Sequence, residues 1–265
     1  MFIKNNMKKF LKLISPFETV NGKLSGLIKS FWLLLIIGIW VVSSSIGDTH
    51  IFPTPSQVLD GFIGLYNEGL VVHLFSSLGL FMKATLISII LSLTIVYLSP
   101  LPLINPISNI ISKFRFLPLT GLSYYIAILV NDGRSIQIWI LVIFMSTFLI
   151  TSLMASLKGI DEDIDHARTL GCSRWEILYE VIIKGRLDYI IEAIRQNLAI
   201  VWMSLVIVEG ILASAGGLGF LIKNSDKFMN HGRIIALQVI ILGVGLFLDF
   251  ALTKIRKISF RYSNF

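Results

Sequence analysis

Charge is scarce in this chain: only 15% of its 265 residues are Asp, Glu, Lys or Arg, against about 25% in an ordinary soluble domain. With 55% hydrophobic residues and a mean hydropathy of +0.80, that shortage excludes a water-soluble fold and leaves a polytopic membrane protein. Cysteine is almost missing. The single Cys172 excludes an intramolecular disulfide and a cysteine-rich metal site, and it reads as a small residue near a helix start. A phosphate-cradling loop is absent too: Gly22-Lys23 is followed by Leu24 and lacks the earlier glycine, so any nucleotide must be bound by another subunit. His50, His73, His166 and His231 are scattered, with no two at the one-turn spacing of a metal-binding helix. They read as loop or interface residues, with no metal or catalytic role. Tandem repeats, low-complexity linkers and an extended soluble tail are also missing, so residues 1–265 read as one transmembrane domain.

What is there is apolar sequence in runs. Six stretches, 27–46, 78–98, 116–130, 135–155, 190–213 and 234–252, approach the roughly 20 residues that a helix needs to cross a bilayer. The fold class predicted is an all-α bundle of about six transmembrane helices. Seventeen of the 23 Lys and Arg fall in 1–30, 99–115, 156–188 and 253–265, and four in the alternate segments. That bias puts both termini in the cytoplasm. The net charge of +7 is thus a topology signal rather than a nucleic-acid patch, because the basic residues are spread over several membrane-proximal segments. A signal peptide with 31–42 as its apolar core is the rival reading of the N-terminus. The long basic region before it and the apolar extension through Leu27 and Ile28 favour an uncleaved first span.

After that span, Thr54 is placed to cap a helix, with Pro55 at its first position and Gln57 completing a capping box. Val58, Leu59, Phe62, Ile63 and Tyr66 are predicted to form its single apolar stripe, lying at the outer membrane surface or against the bundle. Pro100, Pro102 and Pro106 break the chain before the third span. Asn131-Asp-Gly-Arg134 reads as a tight outer turn, with conformational freedom at Gly133 and a local bond from Asp132.

The segment 156–188 is the most informative. Asp161 is placed to cap a short helix in which Ile160, Ile164 and Ala167 recur at helical spacing. Gly171 stands where that helix must stop, and Ser173 with Glu176 opens a second helix. This helix–Gly–helix loop carries seven acidic and five basic residues, a poor match to anionic lipid and a better one to a protein partner.

Charges inside a span cost about 2.5–3.5 kcal/mol each at mid-bilayer. Arg195 has Glu192 one turn earlier and reads as a structural anchor. Lys83, early in the expected second span, reads as snorkelling to the outer face. Asp249 reads as an interfacial charge. Glu209, without a basic neighbour on its own helix, divides evenly between a pathway or gate role and structural hydrogen bonding. Gly216, Gly217 and Gly219 mark a break after the fifth span, because three glycines in four residues weaken a helix by about 1 kcal/mol each.

The loop resembles the cytoplasmic signature of ABC-importer permeases, E-A-A-x3-G-x9-I-x-L-P. Asp165 stands at the Glu, His166 and Ala167 at the alanines, Gly171 at the glycine, and Val181 and Ile183 at the later apolar positions, with Lys184 at the proline. The nitrate, sulfonate, taurine and bicarbonate type is most similar: it reads A-R-x-L-G-A-S-R-W where this chain has Ala167-Arg-Thr-Leu-Gly-Cys-Ser-Arg-Trp175. The likeness covers roughly 50–252. It implies a multi-pass permease of the bacterial cytoplasmic membrane, not itself an enzyme, with Asp161, Asp165, His166, Ala167, Leu170, Gly171, Ser173, Arg174 and Trp175 in the loop that meets an ATPase. The implied partners are two ATPase subunits, which would hold ATP and Mg, a second permease copy or paralogue, an extracytoplasmic solute-binding protein and membrane lipid, but no nucleic acid. The implied cargo is a small anion, with a vitamin precursor as the alternative. The same likeness puts Gly216, Gly217 and Gly219 near an outer gate. Lys184 and Asp188 replace prolines common in relatives, which removes rigid breaks before the fifth span. A divergent regulatory or structural membrane subunit is the competing reading. A secondary transporter is a third, disfavoured by the lack of paired broken helices in the two halves.

Overall fold

The computed structural model describes residues 22–46 and 52–259. Residues 1–21 and 260–265, assigned above to the cytoplasmic side, lie outside the described residues, as does His50. Two compact units are present, Met1–Gln57 and Val58–Phe265. Among the described residues every regular element is helical.

The first unit holds α1 (Gly22–Ile46), one of five helices among the described residues that are long and apolar enough to cross a membrane. Its end carries the expected capping box: Gln57 N–H donates to Thr54 Oγ1 at 3.4 Å and Thr54 N–H to Gln57 Oε1 at 3.0 Å. Pro55 opens α2 (Pro55–Asn67).

Beyond α2 come α3 (Leu70–Leu98), α4 (Asn105–Lys113), a 3-10 turn at Phe114–Phe116, α5 (Leu119–Leu129) and α6 (Gly133–Ser156). Then follow α7 (Asp161–Thr169), α8 (Arg174–Ile177), a π-helical stretch at Leu178–Lys184 and α9 (Leu187–Ile211). A 3-10 turn at Ala213–Ala215, α10 (Leu218–Lys227) and α11 (His231–Ser259) complete the second unit. Its long apolar helices are α3, α6, α9 and α11.

Helix α6 is the centre of this unit. Ile140, Leu141, Met145, Leu149, Ile150 and Leu153 are all buried. The stripe that α3 turns inward includes small residues, Ser77, Ala84, Ser88 and Ser92, which lets the two backbones approach closely. Ser88 Oγ lies 2.7 Å from Ala84 O and 3.3 Å from Val142 O, and Ser92 Oγ donates to Ser146 O at 3.4 Å. The constant offset makes α3 and α6 parallel. Helix α9 runs the other way: Phe81 meets Trp202 edge to face, with centroids 5.5 Å apart. Trp202 Nε1 in turn donates to Ile241 O on α11 at 3.0 Å.

Three expectations need correction. The third apolar stretch is not one long helix. An 11-residue α5 follows Pro118, whose extended backbone interrupts the helix, and its length of about 16 Å is short of a bilayer core. Before that stretch, α4 and the 3-10 turn lie along α6, with Thr151 Oγ1 donating to Ser112 O at 3.3 Å. The stripe on α2 divides: Val58, Gly61 and Leu65 are buried while Leu59, Ile63 and Tyr66 are exposed. The reason is a close approach at Gly61, where a Cβ would come within 2.9 Å of the Gly232 backbone. The second span begins at Leu70, so Lys83 lies well inside α3 rather than early in it. At the 131–134 turn, Asp132 Oδ2 accepts from Ser135 N at 2.8 Å, while Gly133 is simply the first residue of α6.

Candidate functional site: a coupling loop and a latched glycine turn

The predicted site residues fall into two groups at opposite ends of α9. The first is the loop between α6 and α9. Ile160 and Ala167 are buried, and Ile177 and Ile182 join them. Asp161 is not the cap; Ile160 holds that position without a side-chain bond, and Asp161, Glu162 and Asp163 fill the first turn. There they complement the helix dipole. Gly171 ends α7 as expected, at φ 81°. Cys172 N–H donates to Ala167 O at 3.1 Å and Gly171 N–H to Arg168 O at 3.0 Å, which together make a Schellman stop. Ser173 and Glu176 form the reciprocal capping box, at 3.4 Å and 2.7 Å. The Ser173 backbone N–H holds the Glu176 carboxyl below its usual range.

This architecture sorts the loop side chains. Leu170 is 83% exposed and Trp175 66%, and Asp165, His166 and Arg174 are exposed beside them. Asp165 pairs with Arg168 at 3.0 Å. Ala167 faces inward, so a larger residue there would clash within the chain rather than with a partner. Asp163 reaches Arg186 at 3.2 Å, which ties α7 to the foot of α9. A groove of about 730 Å³ separates the loop from the Pro100–Pro102 corner, with Arg168, Cys172 and Trp175 on its walls.

Replacing both prolines is expected to remove the breaks before α9, yet an irregular stretch stands there. Leu178–Lys184 is π-helical, and Gly185 N–H donates to Glu180 O at 3.0 Å. A Cβ at Gly185 would lie 2.6 Å from Val181 O, so the wide turn requires glycine there. Lys184 bonds Glu180 at 2.8 Å, which raises its pKa.

The second group surrounds Glu209, which has no exposed surface. Ser77 Oγ donates to its carboxylate at 2.8 Å, and Gly219 N–H donates to Oε2 at 3.1 Å. Arg134 from α6 stands 3.7 Å from Oε1. Arg134 also donates to Gln137 Oε1 at 2.9 Å and to Ser76 Oγ at 2.7 Å. Gln137 Nε2 donates to Leu212 O at 2.8 Å, and Leu218 N–H to Ser77 Oγ at 2.9 Å. His73 Nδ1 accepts from Gly217 N–H at 3.1 Å. Glu209 is therefore the hub of a network that pins the glycine turn to α3, α6 and α9.

The glycines are required by that closeness. Gly216 and Gly217 have φ 72° and 113°, a region open to few L residues. A Cβ on Gly217 would lie 2.2 Å from the Glu209 carboxylate, and one on Gly219 2.0 Å from Val206 O. Sequence reasoning missed His73, Ser77, Arg134 and Gln137. The available signal was an acidic residue in a span without a partner on its own helix. Arg195 meets its reading as an anchor: it bonds Glu192 at 2.7 Å and also Asp249, and Arg256 joins Glu192 at 2.6 Å.

No family model matches the chain. The taurine transport system permease protein of Escherichia coli is 25% identical, over 85% of this chain and 86% of its own length. A probable ABC transporter permease protein of Brucella melitensis is 27% identical, over 87% of this chain and 95% of its own. An inward-facing structure of the MetNI methionine ABC transporter superposes with a TM-score of 0.62 at 17% identity, covering 71% of this chain and 95% of that one. In sequence over most of its length, and in fold, the chain is a relative of the ABC transporter permeases.

Proposed function

We propose that the chain is the membrane-spanning permease subunit of an ATP-driven importer for a small anion, such as a sulfonate, taurine, nitrate or bicarbonate. A second copy or paralogue completes the path, and a solute-binding protein delivers cargo at the outer face. Two ATPase subunits, holding ATP and Mg, dock on the cytoplasmic side with both termini of this chain. The observation that carries the reading is the α7–Gly171–α8 loop. Its apolar stripe is turned into the chain, while Leu170 and Trp175 project outward on a rigid, doubly capped frame. Closure of the ATPases would draw two such loops together, and α6 and α9 would carry that motion to the glycine turns at the other end. The taurine-transport and aliphatic-sulfonate-transport names of two relatives support a cargo that carries a sulfonate group.

Two measurements test this. Cysteines at Asn67 and Lys158 should label from opposite sides of the membrane, and same-side labelling defeats the topology. In the assembled transporter, Leu170→Cys should cross-link to the ATPase, with a yield that changes on adding ATP. Absence of any cross-link in a complex that still transports would remove the loop from the contact.

A further inference from the structure

Charges within the long helices of the second unit are matched or terminal, with one exception. Arg134 faces Glu209, Arg195 and Arg256 share Glu192 and Asp249, and Arg233 pairs with Glu68. Lys254 and Lys257 lie in the last turns of α11, and Asp188 in the first turn of α9. Lys83 is on the exposed face of α3 and has no polar partner among the described residues.

Its depth is set by its neighbours. Thirteen residues separate Lys83 from Leu70 and fifteen from Leu98, so it is about 20 Å from either end of α3. Phe81, two residues away, stacks on Trp202, and Trp202 bonds Ile241. Those residues lie about 14 Å from the near ends of α9 and α11, roughly half the thickness of a hydrocarbon core. That exceeds the reach of a four-carbon side chain, so snorkelling does not bring the ammonium to a head-group phosphate.

Space adjoins it. Gly79, one turn away on the same face, has no atom within 4 Å of where a Cβ would stand. A recess of about 610 Å³, almost wholly apolar, opens between α3 and α11, lined by Phe75, Gly79, Met82, Gly243 and Phe247; Lys83 follows Met82 in sequence and does not itself line it. A cation unmatched within its unit at mid-depth must face water, a ligand or another polypeptide, because hydrocarbon offers it no partner. A lone cation beside an apolar recess suits a small organic monoanion, with its charged head on the lysine and its carbon body in the recess.

We propose that Lys83 lies on the solute path and holds the negative charge of a small organic anion in transit. The proposal rests on the permease reading and names the chemistry of its path.

The test uses cells carrying the complete transporter and labelled ethanesulfonate as probe. Lys83→Gln should lower uptake about tenfold or more, and Lys83→Arg by no more than about threefold, at equal membrane levels and equal ATPase retention. Lys83→Cys should react with a charged, membrane-impermeant thiol reagent above the background that Cys172 gives in wild type. Attaching an aminoethyl group there should restore uptake, and attaching a methyl group should not. Uptake by Lys83→Gln within about twofold of wild type overturns the proposal. So does labelling of Lys83→Cys by lipid-soluble reagents alone, which would put the lysine against acyl chains. Both arms failing while wild type takes up the probe strikes only this proposal. Failure of wild type to take up any solute on ATP strikes the permease reading.

Discussion

The loop at one end of α9 and the glycine turn at the other are both polar breaks in an apolar chain, but they are held by opposite means. In the loop, almost every bond joins residues two to five apart: Ser173 with Glu176, Cys172 with Ala167, Lys184 with Glu180. Two of its apolar side chains, Leu170 and Trp175, are left outside. In the turn, the bonds join residues far apart in sequence, such as Ser77 to Glu209 and Gly217 to His73, and the acid at their centre is sealed from solvent. Local capping builds a projecting surface whose shape does not depend on the rest of the fold. A long-range network builds a fastening that ties three helices together.

The sharpest way to break this contrast is at Glu209. Glu209→Ala leaves Arg134 without its counter-ion and the Ser77 hydroxyl and Gly219 N–H without their acceptor, and it should cost about 3–5 kcal/mol. Thermal unfolding of the detergent-purified protein should show that loss, with lowered yield from the membrane. Glu209→Gln retains an acceptor and should cost about 1–3 kcal/mol. Should Glu209→Ala unfold at the wild-type temperature yet transport nothing, the residue acts in the path and the fastening is illusory.

Gly217→Ala comes next. Its methyl would enter the Glu209 carboxylate, and its φ of 113° is strained for alanine, for about 1–3 kcal/mol. The same unfolding assay reads it, and the loss should shrink to the backbone strain when Glu209 has already been removed. Additive losses would show that the glycine is needed for its backbone alone.

Gly171→Val adds comparable strain, about 1–3 kcal/mol, but the consequence should stay local. No atom lies within 4 Å of a Cβ there. The variant should insert normally and fail to retain the ATPase on purification, or retain it with uncoupled hydrolysis. Leu170→Ala and Trp175→Ala should leave stability within about 0.5 kcal/mol while weakening ATPase retention. Loss of fold in either would mean that the two side chains pack at home after all.

This same difference explains what was legible beforehand. The stop at Gly171 and the start at Ser173 were readable because their signals lie within four residues of their effects. The all-helical class followed from apolar run lengths. The fastening was not legible, since nothing in the spacing of Ser77, Arg134 and Gln137 says that three helices bring them to one carboxylate. Pro118 announced a break, but an apolar run that continues across it still scored as one span. Lys83 was misplaced because His73, Ser76 and Ser77 interrupt the apolar run, and only the fold shows that they belong to the same helix.

The smallest expected effect concerns acid. Glu176 has its carboxyl pKa lowered by the hydrogen bond from Ser173. Its contribution is therefore present above the unfolded value and lost as pH falls through the folded one. Amide protection at Ser173, whose N–H donates to the Glu176 carboxylate, should decline as pH falls below the ordinary carboxylate range, about pH 4, and Glu176→Gln should abolish that decline. Protection that does not change with pH would show that the cap is held by packing.

The π-helical stretch at Leu178–Lys184 bears on how such a loop could move. A π turn fits more residues into each revolution than an α turn, so this segment holds slack between the projecting indole of Trp175 and the rigid shaft of α9. Taking in that slack would lengthen the segment and rotate everything before it about the shaft, with no bond inside the bundle disturbed. A hinge made of proline bends at one fixed point. A coil with spare length can pay out or rewind, and this one ends at Gly185, where a Cβ would stand 2.6 Å from Val181 O.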